Sequence, residues 1–297
     1  MANGLIILYK EAGMTSHTAV SRVRRLLGEN KAGHTGTLDP MATGVLPILL
    51  GRAVKASEYI TEGDKHYRAR LMLGITTDTE DITGETLSTS DDIPDEAAVL
   101  EALSHFRGEI LQTPPMYSAI RVGGRRLMEL ARAGVTVERE ARPITIHALT
   151  CEKINEREYF LDVVCSKGTY IRTLCADIGA HLGCGGVMAA LERVEAAGFT
   201  LEHAHTLAEL EQMNESERTA CVTPVEELFM DAPALFVPSF YARLMHDGQA
   251  ILQSKLRADF ALGTRVRLVE KSGFFALGEA VAAGDEIAIK PIKLFVL

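Results

Sequence analysis

In "HYRARLML", residues 66–73, Tyr67, Ala69, Leu71 and Leu73 fall on one side of an extended chain and Arg68 and Arg70 on the other. That period of two predicts a strand with Tyr67 on its apolar face. Residues 17–27 follow the helical period instead. Val20, Val23 and Leu27 share a face that leaves Arg22 and Arg25 off it, with Thr15 or Ser16 placed to cap the helix and Gly28 to stop it. "DDIPDEAAVLEALSHFRG", residues 91–108, predicts a helix with Pro94 in its first turn, Leu100, Leu103 and Phe106 buried, and Gly108 closing it. "LQTPPMYSAIRVGGRRLMELARAG" predicts a turn, a short strand, a Gly-Gly turn and a short helix. "YFLDVVCS" reads as a strand, and "TYIRTLCADIGAHLG" as a helix opening at Thr169, with Ile171, Leu174, Cys175, Ile178 and Leu182 on its apolar face. Strands and helices mix through residues 1–232, which predicts an α/β or α+β body. From Pro233 the texture changes to a short helix near Ser239 and brief strands at "TRVRLVE", "FFALGEAV", "EIAIKPI" and "KLFVL". A separate small β domain over 233–297 is expected.

Length and composition narrow the class. A chain of 297 residues can bury a large core and suggests two domains. The apolar run Leu5-Ile6-Ile7-Leu8 is too short for a signal peptide and no stretch reaches membrane-spanning length, so a cytoplasmic protein is expected. The five cysteines form an odd set without a Cys-x-x-Cys pair, and His181-Leu-Gly-Cys184 is half a zinc pattern at most; reduced structural thiols are expected. In "TTDTEDITGE" the acids at 78, 80, 81 and 85 miss the alternation a calcium loop needs, because Ile82 occupies a ligand position. A net charge of -9 argues against gripping nucleic acid through overall charge. Locally the picture reverses: residues 1–60 carry seven Lys or Arg against four acids and residues 121–143 carry six against three, whereas 201–231 carry eight acids against Arg218 alone. A basic surface and an acidic connector thus coexist. The absence of a heptad pattern makes a monomer the default.

Two positions stand out chemically. "HTGTLDPMATG", residues 34–44, holds one carboxylate, Asp39, which Pro40 pushes toward extended backbone while Gly33, Gly36 and Gly44 allow bends around it. Read alone, the stretch also fits a glycine-rich turn leading into the apolar run from Val45. Arg172 lies in the first turn of its helix, where the dipole disfavours a cation. It is either an ordinary exposed arginine or the partner of a buried carboxylate or a phosphate. His34 and Tyr67 fit core packing as well as contact with a base.

Taken in order, "GHTGTLDPMATGVLPILLGRAVK", "KHYRARLMLG", "FRGEILQTPPMYSAIRVGGRRLMELARAG" and "CSKGTYIRTLCADIG" closely resemble the TruB family of tRNA pseudouridine synthases, and the ending "AIKPIKLFV" resembles a PUA domain. The resemblance implies an α+β pseudouridine synthase fold: a mixed, largely antiparallel central sheet flanked by helices, plus a small C-terminal β pseudobarrel. It implies a catalytic domain over 1–232 with an RNA-contacting insert near 90–145, and an RNA-binding domain over 233–297. Asp39 matches the family's essential aspartate, Tyr67 the tyrosine that stacks on the target base, and Arg172 the arginine that pairs with the aspartate. His34 matches a histidine that assists the flipped arrangement, Asp81 a polar residue near the target nucleotide, and Leu191 an apolar wall of the pocket. Arg22, Arg25, Arg121, Arg125 and Arg126 are candidate phosphate contacts. Met128 and Glu192 depart from the pattern, replacing a tyrosine and a basic residue common in relatives. The implied reaction isomerises uridine 55 in the TΨC arm of tRNA with no cofactor, metal or guide RNA. The residues alone also admit a non-catalytic RNA-binding protein or tRNA folding chaperone, and more weakly a metal-dependent hydrolase built on His34 and Asp39.

Overall fold

The computed structural model describes residues 3–296. Its first half contains β1 (Gly4–Lys10), α1 (Ser16–Leu26), β2 (Ala32–His34), β3 (Thr43–Leu50), α2 (Ser57–Thr61), β4 (Lys65–Leu73), the hairpin β5 (Ile75–Thr77) and β6 (Thr86–Thr89), and α3 (Glu96–Ser104). There follow β7 (Gly108–Gln112), β8 (Arg121–Val122), β9 (Arg125–Arg126), α4 (Leu127–Arg132), β10 (Arg142–Lys153), β11 (Glu158–Cys165), α5 (Ile171–His181) and β12 (Gly186–Ala196). Short pieces β13 (Phe199–Thr200), β14 (Ala204–His205), α6 (Leu207–Gln212), α7 (Glu215–Ala220) and β15 (Thr223–Pro224) lead to β16 (Ala234–Phe236), α8 (Ser239–His246), β17 (Ile251–Leu252), β18 (Arg265–Glu270), β19 (Gly273–Ala283) and β20 (Glu286–Leu294).

The main sheet runs β14-β1-β3-β12-β4-β11-β10-β7. Only the β1–β14 and β3–β12 pairs in it are parallel, so the expected α+β class with a mixed, largely antiparallel sheet is what forms. β4 shows why the sequence pattern worked. Tyr67, Ala69, Leu71 and Leu73 enter the core, Arg68 is exposed and Arg70 half-buried. Helix α1 starts at the Thr15 cap, whose side chain accepts from the Thr18 amide, and stops before Gly28 at φ +64°.

Helix α3 departs from its predicted phase. Asp95 is the cap, accepting from the Ala98 amide, so Pro94 lies before the helix. Val99, Ala102 and Leu103 form the buried face while Leu100 is 49% exposed. Both phases include Leu103; the small Ala102 permits closer approach to the sheet than a face built on Leu100 would. Leu103→Ala is accordingly expected to lower unfolding free energy by about 2–5 kcal/mol, and Leu100→Gln to stay within about 0.5 kcal/mol, in urea titrations.

The second sheet, ordered β16-β18-β19-β20-β17, is open at β16 and β17 and curls over Leu235, Val237, Met245, Val266, Phe275 and Ile289. Sequence reading split β20 into two strands and missed β16 and β17. The two sheets also share an apolar cluster: Phe295 and Leu277 pack with Leu5, Ile7, Leu49 and Phe229. The Phe229 and Phe295 rings lie 5.6 Å apart. Arg52 and Lys55 donate to the Val296 and Leu294 carbonyls at 2.9 Å each, which stitches the chain's end to the turn after β3. Within 90–145, β7 and the start of β10 belong to the main sheet; the β8–β9 hairpin and α4 stand outside it.

Candidate active site

The loop from Thr35 to Ala42 joins β2 to β3 and is fixed from several directions. The Ser16 hydroxyl donates to the Leu38 carbonyl and accepts from the Leu38 amide, both at 2.9 Å, so the start of α1 clamps the residue before Asp39. Lys10, fully buried at the end of β1, donates to the Ala42 carbonyl at 2.6 Å and the Pro40 carbonyl at 3.3 Å. The Ala42 amide closes a turn onto the Asp39 carbonyl at 3.1 Å. Of the three glycines expected to bend here, Gly44 alone has positive φ, at +102°. An added Cβ there would lie 2.2 Å from the Arg193 carbonyl oxygen, so strand β12 can approach only because side chain is absent.

Asp39 meets Arg172 face to face. The guanidinium Nε lies 2.9 Å from Oδ2 and Nη2 donates to Oδ1 at 3.4 Å, a two-pronged pair. The Arg172 side chain is only 6% exposed, against 32% for Asp39. Helix α5 begins at Ile171, two residues later than the sequence suggested, and Arg172 is its second residue. The unfavourable dipole there is offset by Asp39, by the Thr79 carbonyl at 3.0 Å and by the Tyr117 carbonyl at 2.9 Å. Gln112 braces the helix start, donating to the Tyr170 carbonyl at 3.1 Å and accepting its amide at 2.8 Å.

Asp81 stands on the other side of the guanidinium, its Oδ2 3.8 Å from Nη1. Its Oδ1 accepts from the Thr83 amide and hydroxyl and the Thr79 hydroxyl, a local turn that aims the carboxylate inward. Tyr67 and Leu191 occupy adjacent strands β4 and β12 and share one buried cluster with Leu38, Ala42 and Ile171, the neighbours of Asp39 and Arg172. The structure thus brings Asp39, Arg172 and Asp81 together with Tyr67 nearby, while Leu191 lies in the same core two register positions from Tyr67's partner on β12. His34 sits half-buried on β2, where its Nδ1 accepts weakly from the Gly36 amide at 3.4 Å.

The electrostatics are set by burial. It pushes the Asp39 carboxyl above its ordinary value, opposed by Arg172 and Lys10 and reinforced by Asp81. Desolvation outweighs the downward pull of Arg172. Burial lowers Lys10 to about 8, against the attraction of Asp39. It also lowers His34, helped by the nearby charges of Arg193 and His17, so the imidazole is neutral at pH 7. The Tyr67 phenol is raised by burial, with Arg193 pulling it down.

The candidate phosphate contacts are dispersed. Arg22 forms an ion pair with Glu211, and Arg25 is exposed on the same helix. Arg121, Arg125 and Arg126 are all exposed on the β8–β9 hairpin, tethered to the site because the Leu127 and Met128 amides bond the Ile120 and Ser118 carbonyls beside Tyr117. Glu192 accepts from the Tyr9 hydroxyl at 2.9 Å. Sequence reading missed Lys10 and Arg193, both buried within apolar strands. The signal was present: Arg193 keeps the period-two phase of Leu191, the inward phase of β12.

A mixed sheet flanked by helices, continued by a small curled second sheet, is the fold of the pseudouridine synthases. The architecture matches the solved structure of a Cbf5-Nop10-Gar1 complex with a TM-score of 0.69 and 27% identity, covering 99% of this chain and 85% of that one. An archaeal box H/ACA sRNP Nop10-Cbf5 complex gives 0.68 and 26%, with 99% and 86% coverage. Residues 24–171 match the N-terminal domain of the TruB family pseudouridylate synthases, and residues 172–230 the tRNA pseudouridylate synthase B C-terminal domain. A protein named tRNA pseudouridine synthase B from Burkholderia mallei (strain NCTC 10247) is 44% identical over 296 residues, 99% of this chain and 97% of its own length. One of the same name from Alkaliphilus oremlandii is 45% identical over 254 residues, 86% and 84% of the two chains. This chain belongs to the TruB family of pseudouridylate synthases.

Proposed function

We propose that this enzyme converts uridine 55 in the TΨC arm of tRNA to pseudouridine, acting without a guide RNA and with Asp39 as its essential carboxylate. The observation that carries the reading is the two-pronged Asp39–Arg172 pair, with Tyr67 close enough for the Asp39 charge to act on its phenol. The near full-length similarity to single chains named tRNA pseudouridine synthase B supports tRNA as substrate.

The reaction breaks the bond from N1 of uracil to C1′ of ribose, turns the base, and joins C5 to C1′. The C5 hydrogen leaves and N1 gains a proton, so electrons balance without a redox partner. Asp39 serves either by adding to the ribose or the base as a nucleophile or by removing a proton from the sugar to give an unsaturated intermediate; both need it ionised. Arg172 holds the carboxylate in one orientation and favours that ionised form against burial. A uridine stacked within a folded arm must first be extruded, and Tyr67 offers an aromatic face to receive it. His34, neutral and therefore able to enter a base stack without a charge to desolvate, fills the space left behind. Asp81 orients Arg172, and Leu191 walls the base on its far side. Arg22, Arg25, Arg121, Arg125 and Arg126 contact phosphates, Arg22 by exchanging its Glu211 partner. Residues 1–232 form the catalytic unit and 233–297 a PUA-like extension that adds RNA contacts; the enzyme acts as a monomer.

An unmodified tRNA transcript carrying 5-tritiated uridine tests this. The wild-type enzyme is expected to release one equivalent of tritium per tRNA, and none from a transcript with cytidine at position 55. Release that survives that substitution refutes the assigned position, and binding with no release in either transcript favours a chaperone.

A further inference from the structure

We infer that Arg193 is a positioning residue that fixes the Asp39 loop relative to Tyr67, an inference that rests on the roles given to Asp39 and Tyr67 above. Strand β12 runs between β3 and β4, and Arg193 is the register partner of Gly44 on one side and of Tyr67 on the other. Its side chain extends the same link. Nε donates to the Val45 carbonyl at 2.8 Å and Nη2 to the Gly36 carbonyl at 3.1 Å, so one guanidinium holds both flanks of the loop. The Tyr67 phenol feels this guanidinium across the strand pair, Arg193 drawing its pKa down against the burial that raises it.

The glycines flanking Asp39 are shaped around this residue. A Cβ on Gly36 would stand 3.2 Å from Nη1, and one on Gly44 would overlap the Arg193 main chain. Arg193 is 1% exposed, and among the described residues its hydrogen bonds go to main-chain carbonyls with no carboxylate in an ion pair. A buried cation without a counter-ion is a burden on stability that an apolar residue of similar volume would relieve. A planar fork with several fixed donors is what the geometry uses, because it reaches the Val45 and Gly36 carbonyls at once while its charge lies beside Tyr67. Asp39 is held on its other side by Lys10 and Ser16, so Arg193 completes the frame.

The test compares wild type, Arg193→Lys, Arg193→Met, Tyr67→Phe, the Arg193→Lys/Tyr67→Phe double variant and Asp39→Asn. Single-turnover pseudouridine formation at saturating tRNA is measured beside tRNA affinity and Tm. Arg193→Lys keeps charge and bulk but not the fork, and is expected to bind tRNA within about threefold of wild type while kcat falls about 100-fold. The double variant is expected to be no more than about twofold slower than its slower parent, because both changes disrupt one arrangement. Arg193→Met is expected to be at least as slow as Arg193→Lys. A purely packing role would lower Tm and leave the rate per folded molecule unchanged, and a rate within about threefold of wild type in Arg193→Lys, or losses that multiply in the double variant, overturns the inference. If neither Arg193 variant folds, Gly36→Ala decides: its Cβ would stand 3.2 Å from Nη1 and make the guanidinium give by a few tenths of an ångström with the charge retained, and an unchanged kcat overturns the inference equally. An active Asp39→Asn would instead remove the site reading on which all this stands.

Discussion

Asp39→Asn is expected to bind tRNA within about threefold of wild type and to form pseudouridine at least about 10,000-fold more slowly, a loss of about 5 kcal/mol in transition-state stabilisation. The carboxamide fills the same volume and can still accept one hydrogen bond from Arg172, so the loop clamped by Ser16 and Lys10 has no reason to move. What disappears is the negative charge. Neither addition to the sugar nor removal of its proton proceeds from an amide at a useful rate. Folding stability should fall by only about 1–3 kcal/mol, because Asp39 is a third exposed and Arg172 keeps the Thr79 and Tyr117 carbonyls. Asp39→Glu separates charge from placement: the charge stays but moves by one methylene, and a drop of about 100-fold is expected. Tritium release from labelled tRNA measures all three proteins on one scale. Near wild-type release by Asp39→Asn removes the carboxylate from the reaction.

Much of the architecture was legible where a single period governs an element. Strand β4 and helices α1 and α5 each turn one apolar face to the core, so polar and apolar positions report that face directly. Arg172 was legible for a different reason: a cation in the first turn of a helix is locally unfavourable, and such a conflict signals a partner elsewhere in the chain. Asp39 was visible as an acid in a shaped loop, although the chain bends at Gly36 without positive φ and Gly33 lies in β2. The tight approach of β12 through Gly44 depends on a strand nearly 150 residues away, and no local pattern carries that distance. The same holds for Lys10, whose buried ammonium is satisfied by carbonyls that only the folded loop presents. The α3 phase and the packing of Phe295 against the first sheet were decided by tertiary contacts between surfaces that each looked complete in sequence.

Replacing Arg172 gives the second large effect, and it carries a sign that distinguishes it from simple loss of a contact. In Arg172→Met the carboxylates of Asp39 and Asp81 share a buried space without the cation between them. Breaking such a pair from one side typically costs about 3–5 kcal/mol at neutral pH, and a further loss comes from the unmatched Thr79 and Tyr117 carbonyls. The folded-state Asp39 pKa already lies above 3.8, so between 3.8 and that value the native protein holds more protons than the unfolded chain. Stability contributed by this group therefore falls as pH rises through that window. Removing Arg172 takes away the main influence opposing burial, moves the folded pKa higher and widens the window. Destabilisation of Arg172→Met relative to wild type is thus expected to be smaller near pH 4.5 than at pH 7, as urea titrations at the two pH values would show. Activity should follow the same shift, with the acid limb of kcat/KM moving to higher pH and the plateau falling by at least about 1,000-fold because the carboxylate is no longer aimed. Arg172→Lys, which retains the charge but cannot make the two-pronged contact, should leave the acid limb near its wild-type position and still lose about 100-fold in rate. A plateau unchanged in Arg172→Met, or an acid limb displaced equally in both variants, would show that the guanidinium neither orients nor ionises Asp39.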